Sequence, residues 1–328
     1  MRETEASTPC GEQEGSHLSS PAEAWGPWRP DLTEDPEGEI YNVAIVGAGL
    51  SALSLLRSGA AALGRTVVLD YQEQVGGLLR YLLPADGFGE EWELLRDFPF
   101  PAGVRLLLQT TAVGLLPASD SETAHTLVVR QRQGTAHVRA RNVVIACGGL
   151  ERPREHDAIP GTRPAGVMTP VLALQLLTRG YLPGRRALVY GESRYALATA
   201  RRLAEAGMEV ITAAPTAGNG RQVRLCGTLE KICGFPRLSA VRLLCDQQPV
   251  EIEVDTLVYA TGLLANTHWL KGSGVELTAS GAIAVDSHYR TSVPGIYAIG
   301  TVVRPELDHQ DSLRMGKEVA ALLPGGVS

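Results

Sequence analysis

The stretch Ile40-Tyr41-Asn42-Val43-Ala44-Ile45-Val46-Gly47-Ala48-Gly49-Leu50-Ser51-Ala52 decides the fold. An apolar run passes straight into G-x-G-x-x-A and then into a small-residue helical stretch over 51–63. Ile40–Val46 reads as a buried strand. The next apolar run, Thr66–Leu69, reads as its parallel neighbour, joined to it by a right-handed crossover. Gly47 permits the tight turn, Gly49 lets the backbone approach a pyrophosphate, and Ala52 lets the helix pack close to the strand. The helix N-terminus offers free N–H groups and partial positive charge to an anion. Asp70 closes the second strand 21 residues beyond Gly49, where an acid accepts hydrogen bonds from an adenosine ribose. G-x-G-x-x-A alone is a weak signal; strand, loop, helix, strand and acid in register make a dinucleotide site.

About 144 residues further on the pattern returns. Tyr190-Gly191-Glu192-Ser193-Arg194-Tyr195-Ala196 lies between an apolar run at 187–190 and a helical stretch at 197–206. Gly191 and Ala196 are kept, and Ser193 stands where the middle glycine belongs. The following strand, 209–213, runs into Ala-Ala-Pro with no acid for a ribose, and Arg221 is the nearest base for a 2′-phosphate. A second dinucleotide fold is expected here, with Gly191, Ser193 and Arg194 as candidate contacts to NAD(P). Between the units, strands are expected around 105–109, 126–131, 137–139 and 142–146. A Pro- and Arg-rich connector follows at 150–164, then a short helix at 171–178. Residues 222–260 are strand-rich, 279–283 holds a hairpin turn, 296–300 is a last strand, and 312–323 closes the chain as a helix.

Composition sets the boundaries. The 328 residues include 36 glycines and only 5% aromatics, so glycine turns and small aliphatic side chains shape the fold. The net charge of −6 excludes nucleic acid as the main partner, because phosphate binding needs a basic face. Ten acids and two arginines fall within the first 40 residues. Residues 1–38, rich in Glu, Pro, Ser and Gly, read as a disordered acidic tail in which Trp25 and Trp28 cover an apolar patch of the body, with docking on a partner as the alternative. Five cysteines without a C-x-x-C point to a reducing, cytoplasmic setting. The scattered histidines offer no metal set, the N-terminus carries no secretory signal, and no stretch has the length of a membrane span.

Five segments in order carry a family resemblance: Gly47–Ala52, then Ala146-Cys147-Gly148-Gly149, the second glycine loop, Tyr259-Ala260-Thr261-Gly262, and Thr291-Ser-Val-Pro-Gly-Ile-Tyr-Ala-Ile-Gly300. Together they resemble the FAD-dependent pyridine nucleotide–disulfide oxidoreductases over residues 40–323. The connector Ile159-Pro-Gly-Thr-Arg-Pro-Ala-Gly-Val-Met-Thr169 resembles a narrower branch. That branch holds the FAD subunits of opine oxidase, hydrogen cyanide synthase and dye-linked proline dehydrogenase, and the flavoproteins of glycerol operons. The resemblance implies an α/β architecture of two Rossmann-like domains, the second inserted in the first. The FAD-binding domain would comprise 39–155 and 285–328, and the inserted NAD(P)-binding-like domain 156–284.

Carried over by that resemblance, Gly47, Gly49, Leu50 and Ser51 hold the FAD pyrophosphate and Asp70 the ribose. Gly77 and Leu78 line the approach to the flavin, and Val113 offers its backbone to the adenine. Cys147 and Gly148 lie against the cofactor, Gly300 and Thr301 meet the ribityl phosphate, and the last helix, starting near Asp311–Ser312, points at the flavin pyrimidine. Thr301 replaces the usual aspartate, and Cys147 reads as a small buried side chain rather than a redox thiol. Gly76–Tyr81 and the stretch 164–185 hold no cysteine where relatives carry a dithiol, and Cys226 and Cys233 read as core. His309, just before the last helix, is the candidate for proton transfer, against a capping or exposed role. The expected activity is that of an FAD-dependent oxidoreductase passing a hydride between a small substrate or NAD(P)H and the flavin, with a partner dehydrogenase subunit. The alternative is a non-catalytic nucleotide-binding or structural subunit of such a complex.

Overall fold

The computed structural model describes residues 39–59, 63–82, 87–96, 98–119, 122–215 and 223–323. The tail with Trp25 and Trp28, and Arg221, lie outside the described residues. The structure is α/β, built on two sheets of mainly parallel strands.

The first sheet holds β1 (Ile40–Val46), β2 (Thr66–Leu69), β3 (Val104–Leu107), β4 (Thr111–Leu116), β5 (His125–Gln131) and β6 (Gly134–Ile145), in the order β3-β2-β1-β6-β5-β4. Both faces of β1 are covered: Val43 and Ile45 enter one core cluster, Ala44 and Val46 another. That is why the strand reads as a continuous apolar run rather than an alternation. The expected breaks at 137–139 and 142–146 are one strand, β6. Its first half pairs antiparallel with β5, and its end pairs parallel with β1 and with β17 (Ile296–Ala298). The chain thus returns to its first sheet near its end.

Helix α1 (Leu50–Gly59) crosses one face of this sheet, with α2 (Gly89–Leu95) beside it and α5 (His309–Leu322) packed on it. The α1–α5 crossing is close because small residues meet there: a Cβ on Gly316 would lie 2.4 Å from the Ser51 carbonyl oxygen. α5 starts three residues earlier than expected. Asp308, not Asp311, is its cap, its carboxylate accepting the Gln310 N–H at 3.2 Å, as an aspartate preceding the first turn commonly does.

β7 (Gly149–Glu151) opens the stretch read as a connector and pairs antiparallel with β16 (Leu263–Ala265). The second sheet holds β8 (Val167–Met168), β9 (Arg186–Tyr190), β10 (Glu209–Ala214), β11 (Leu225–Cys226) and β15 (Thr256–Tyr259), in the order β11-β10-β9-β15-β8. Helices α3 (Pro170–Thr178) and α4 (Arg194–Glu205) cover one face through Ala173, Ala196, Ala200 and Leu203. An antiparallel meander of β12 (Thr228–Cys233), β13 (Ala240–Cys245) and β14 (Gln248–Glu253) covers the other through Ile232, Val241 and Leu243.

Candidate dinucleotide site

The two glycine loops are built alike, bond for bond. The Gly47 N–H donates to Leu69 O at 2.7 Å, and Ala146 N–H donates to Val46 O at 2.8 Å. In the second unit Gly191 N–H donates to Ala213 O, and Ala260 N–H to Tyr190 O, both at 2.8 Å. A Cβ on Gly47 would fall 2.3 Å from Ala146 O, and one on Gly191 would fall 2.1 Å from Ala260 O. Both glycines have positive φ, +106° and +154°. In each unit only a glycine fits between the turn and the end of the neighbouring strand.

Gly49 differs from Gly47 in a way that matters for binding. A Cβ there would meet nothing within 4 Å, so this glycine opens onto empty space at the N-terminus of α1. That space is a cavity of about 780 Å³, within the usual range for a small-ligand site. Gly47, Gly49, Leu50, Ser51, Asp70, Gly77, Leu78, Cys147, Gly148, Gly300 and Thr301 all line it. Gly191, Ser193, Arg194 and His309 line it as well, so one cavity joins the two loops.

Val113 does not line the cavity; Thr110, Thr111 and Ala112 do. The register of β4 against β5 shifts between Ala112 and Gly114, so Val113 is the extra residue of a bulge and is 44% exposed.

Asp70 is buried at the end of β2. Its carboxylate accepts Ala48 N–H at 2.7 Å and Gln72 N–H at 2.8 Å. Burial pushes its pKa up, while those two N–H groups and the nearby Arg80 pull it down. The acid pins the first loop while facing the cavity. The second unit has no equivalent, since β10 ends in Ala213-Ala214-Pro215.

Ser193 has a role that sequence reading missed. Its hydroxyl oxygen accepts the Ala196 N–H at 3.1 Å, so the residue in the middle-glycine position is the N-cap of α4. Arg194 turns away from its own loop toward the first unit. Its Nη1 lies 3.2 Å from Glu91 and 3.4 Å from Asp308, its Nη2 donates to Gly87 O, and its guanidinium sits 4.6 Å over the Phe88 ring. His309 belongs to the same cluster, as the first residue of α5. Its ring packs 5.0 Å from Phe88, its Nδ1 is 3.7 Å from Glu91, and burial holds its pKa below the usual value.

Cys147 donates its thiol to Asn266 O at 3.3 Å, and burial pushes its pKa up to about 12. A thiol so far from ionising is a poor nucleophile. Cys226, expected in the core, is exposed. In the native protein, iodoacetamide at about pH 8 will label Cys226 and leave Cys147 intact, as mass spectrometry of the alkylated peptides will read. Comparable labelling of both would contradict the structure.

The residues present fit a dinucleotide bearing a pyrophosphate: an open glycine, a helix N-terminus and a buried acid surround one cavity. The fold and site define a two-loop α/β protein of the dinucleotide-binding class. The family model described as "Pyridine nucleotide-disulphide oxidoreductase" matches residues 220–316. The chain is 30% identical over 242 residues to dihydrolipoyl dehydrogenase of Haemophilus influenzae, covering 68% of this chain and 49% of that enzyme. Among solved structures, thioredoxin reductase of T. acidophilum aligns with a TM-score of 0.68 at 19% identity, covering 86% of this chain and 97% of that one. L-proline dehydrogenase of P. horikoshii aligns with a TM-score of 0.66 at 20% identity, covering 87% of this chain and 55% of that one. At such identity these two likenesses show the fold. Over these stretches the chain is similar to the FAD-dependent pyridine nucleotide–disulfide oxidoreductases, a superfamily whose members bind FAD and NAD(P)H. It spans less than half the length of several curated relatives it matches. No helix among the described residues is long and apolar enough to cross a membrane.

Proposed function

We propose that this chain is an FAD-dependent oxidoreductase that passes a hydride between a small substrate or NAD(P)H and the flavin without a redox dithiol. The observation that carries this reading is the single cavity joining an open first glycine loop to the second. FAD, when bound, supplies the two-electron hydride chemistry, and the protein supplies orientation and exclusion of water. The first loop and the α1 N-terminus hold the pyrophosphate, Asp70 the ribose, and Gly300 and Thr301 the ribityl end. Trp269, buried against the first sheet and lining the same cavity, keeps water from one wall. Cys147 acts as packing, since its thiol does not ionise near neutral pH.

In this reading residues 39–155 and 285–323 form the FAD-binding unit, and 156–284 form the inserted unit that receives NAD(P)H beside Gly191 and Ser193. The protein works in the cytoplasm. In this reading His309, which lines the cavity at the head of α5 and whose pKa burial lowers, accepts the proton. One observation favours a variant of this reading, in which a partner dehydrogenase subunit feeds the flavin instead of NAD(P)H: Arg194 is committed to Glu91 and Asp308 and is not left to meet a nucleotide at the second loop.

The test is anaerobic. The FAD-loaded chain is mixed with NADH, then with NADPH, while flavin absorbance is followed, and an aromatic disulfide is then offered as acceptor. Bleaching by one nucleotide with no turnover of the disulfide is expected. Catalytic reduction of the disulfide would overturn the reading, and indifference to both nucleotides would move the donor to a partner subunit.

A further inference from the structure

Arg80 lies in a 3-10 turn, Gly77–Tyr81, and is only 6% exposed. Its Nη1 reaches Gln74 O at 3.3 Å, and its guanidinium stacks 4.8 Å over the Tyr81 ring. No carboxylate of the described residues comes within ion-pair distance of it; the nearby Asp70 spends its two oxygens on the N–H groups of Ala48 and Gln72. A buried guanidinium whose one described counter-charge, Asp70, is spent on backbone N–H groups and is not in ion-pair contact with it is costly, and this one lines the cavity.

The turn that carries Arg80 is joined to the first glycine loop. Gly76 N–H donates to Ala48 O at 2.8 Å. A Cβ on Gly77 would lie 3.3 Å from the Gly49 Cα, and one on Gly76 would lie 3.4 Å from the Arg80 Cβ. Among the described residues lining the cavity, Arg80 and Arg194 are the only arginines and there is no lysine. Arg194 already has Glu91 and Asp308. A pyrophosphate brings full negative charge to a loop whose N–H groups and helix dipole supply only partial positive charge. Of the two described arginines lining the cavity, Arg80 is the one left to meet it.

We propose that Arg80 is an oxyanion-binding residue of the first loop, and that the oxyanion is the dinucleotide pyrophosphate. This deepens the FAD reading and rests on it. A planar guanidinium suits two neighbouring phosphate oxygens in a way that a lysine ammonium does not.

Apo protein of the full chain is titrated with FAD, with ADP and with benzoate, and melting is followed with inorganic pyrophosphate. Arg80→Gln will weaken FAD and ADP by about 10- to 100-fold, and will lose the stabilisation by pyrophosphate. Arg80→Lys will keep the fold and recover part of the affinity. Unchanged FAD and ADP affinity in Arg80→Gln overturns the proposal. So does loss of benzoate binding with FAD intact, which would give the arginine to a substrate carboxylate. If Arg80→Gln fails to fold, Arg80→Lys decides: a weakened FAD and ADP titration supports the proposal, and one equal to wild type overturns it. Should the wild type take ADP and pyrophosphate but no FAD, the flavin reading fails while the role of Arg80 stands on the ADP titration.

Discussion

Gly49→Asp will abolish FAD uptake and leave the protein folded. A Cβ at this position meets nothing within 4 Å, and the residue is not among those held at positive φ. The new side chain therefore enters the cavity without strain and sets a carboxylate at the α1 N-terminus, where the pyrophosphate is to lie. Two like charges about 4 Å apart near a protein surface repel by about 4 kcal/mol, which is roughly a thousandfold in affinity. The fold gains a favourable charge at a helix N-terminus, so melting will be unchanged or slightly raised. Gly47→Ala is the contrasting substitution, because its Cβ would collide with the Ala146 carbonyl and strain a φ of +106°. It will lower stability as well as binding. Flavin fluorescence on titration and the melting midpoint separate the two effects. Retention of FAD affinity within about tenfold in Gly49→Asp would take the pyrophosphate away from this loop.

Arg194→Ala will destabilise the protein, and the cause lies in its partner. Glu91 is 2% exposed, and Arg194 is its nearest cation. Removing one member of a fully buried pair costs about 3–5 kcal/mol. Arg194 is itself 45% exposed, so solvent screening reduces the loss to about 2 kcal/mol. That is a fall of about 3 °C in melting midpoint for a chain of this size, at an unfolding entropy of about 2.1 cal/mol/K per residue. The double substitution Glu91→Gln with Arg194→Ala will recover most of it, because the uncompensated carboxylate is gone.

The loss will also depend on pH, through His309. Its pKa is lowered chiefly by burial and further by Arg194, while Glu91 and Asp308 raise it. With the arginine removed, the histidine titrates higher and its imidazolium takes the vacated place beside Glu91. Arg194→Ala will therefore cost less at about pH 6 than at about pH 8. Paired melting curves check this, and equal losses at both values would remove His309 from the cluster.

What was legible in the sequence was what local chemistry enforces. The Gly47–Asp70 unit could be read because strand period, turn glycine and ribose acid all fall within one crossover. The second unit could be read for its fold but not its cap: Ser193 looked like a damaged glycine, although a serine three residues before Ala196 is also an N-cap signal. The bulge at Val113 left no mark in the residues, so its exposure could not be read from the strand. The Arg194 cluster left no local signal, since Glu91 and Asp308 lie 103 and 114 residues away. Arg80 was passed over for a related reason. A charge inside an apolar turn is notable only once its burial, and the lack of an ion-paired carboxylate among the described residues beside it, are known.

The most direct test of the account is the flavin stoichiometry of the purified full chain, measured by absorbance after incubation with excess FAD and removal of unbound cofactor. The account predicts one tightly held FAD per chain in the wild type and none in Gly49→Asp. A wild type that holds no flavin, with a normal melting curve, would contradict it.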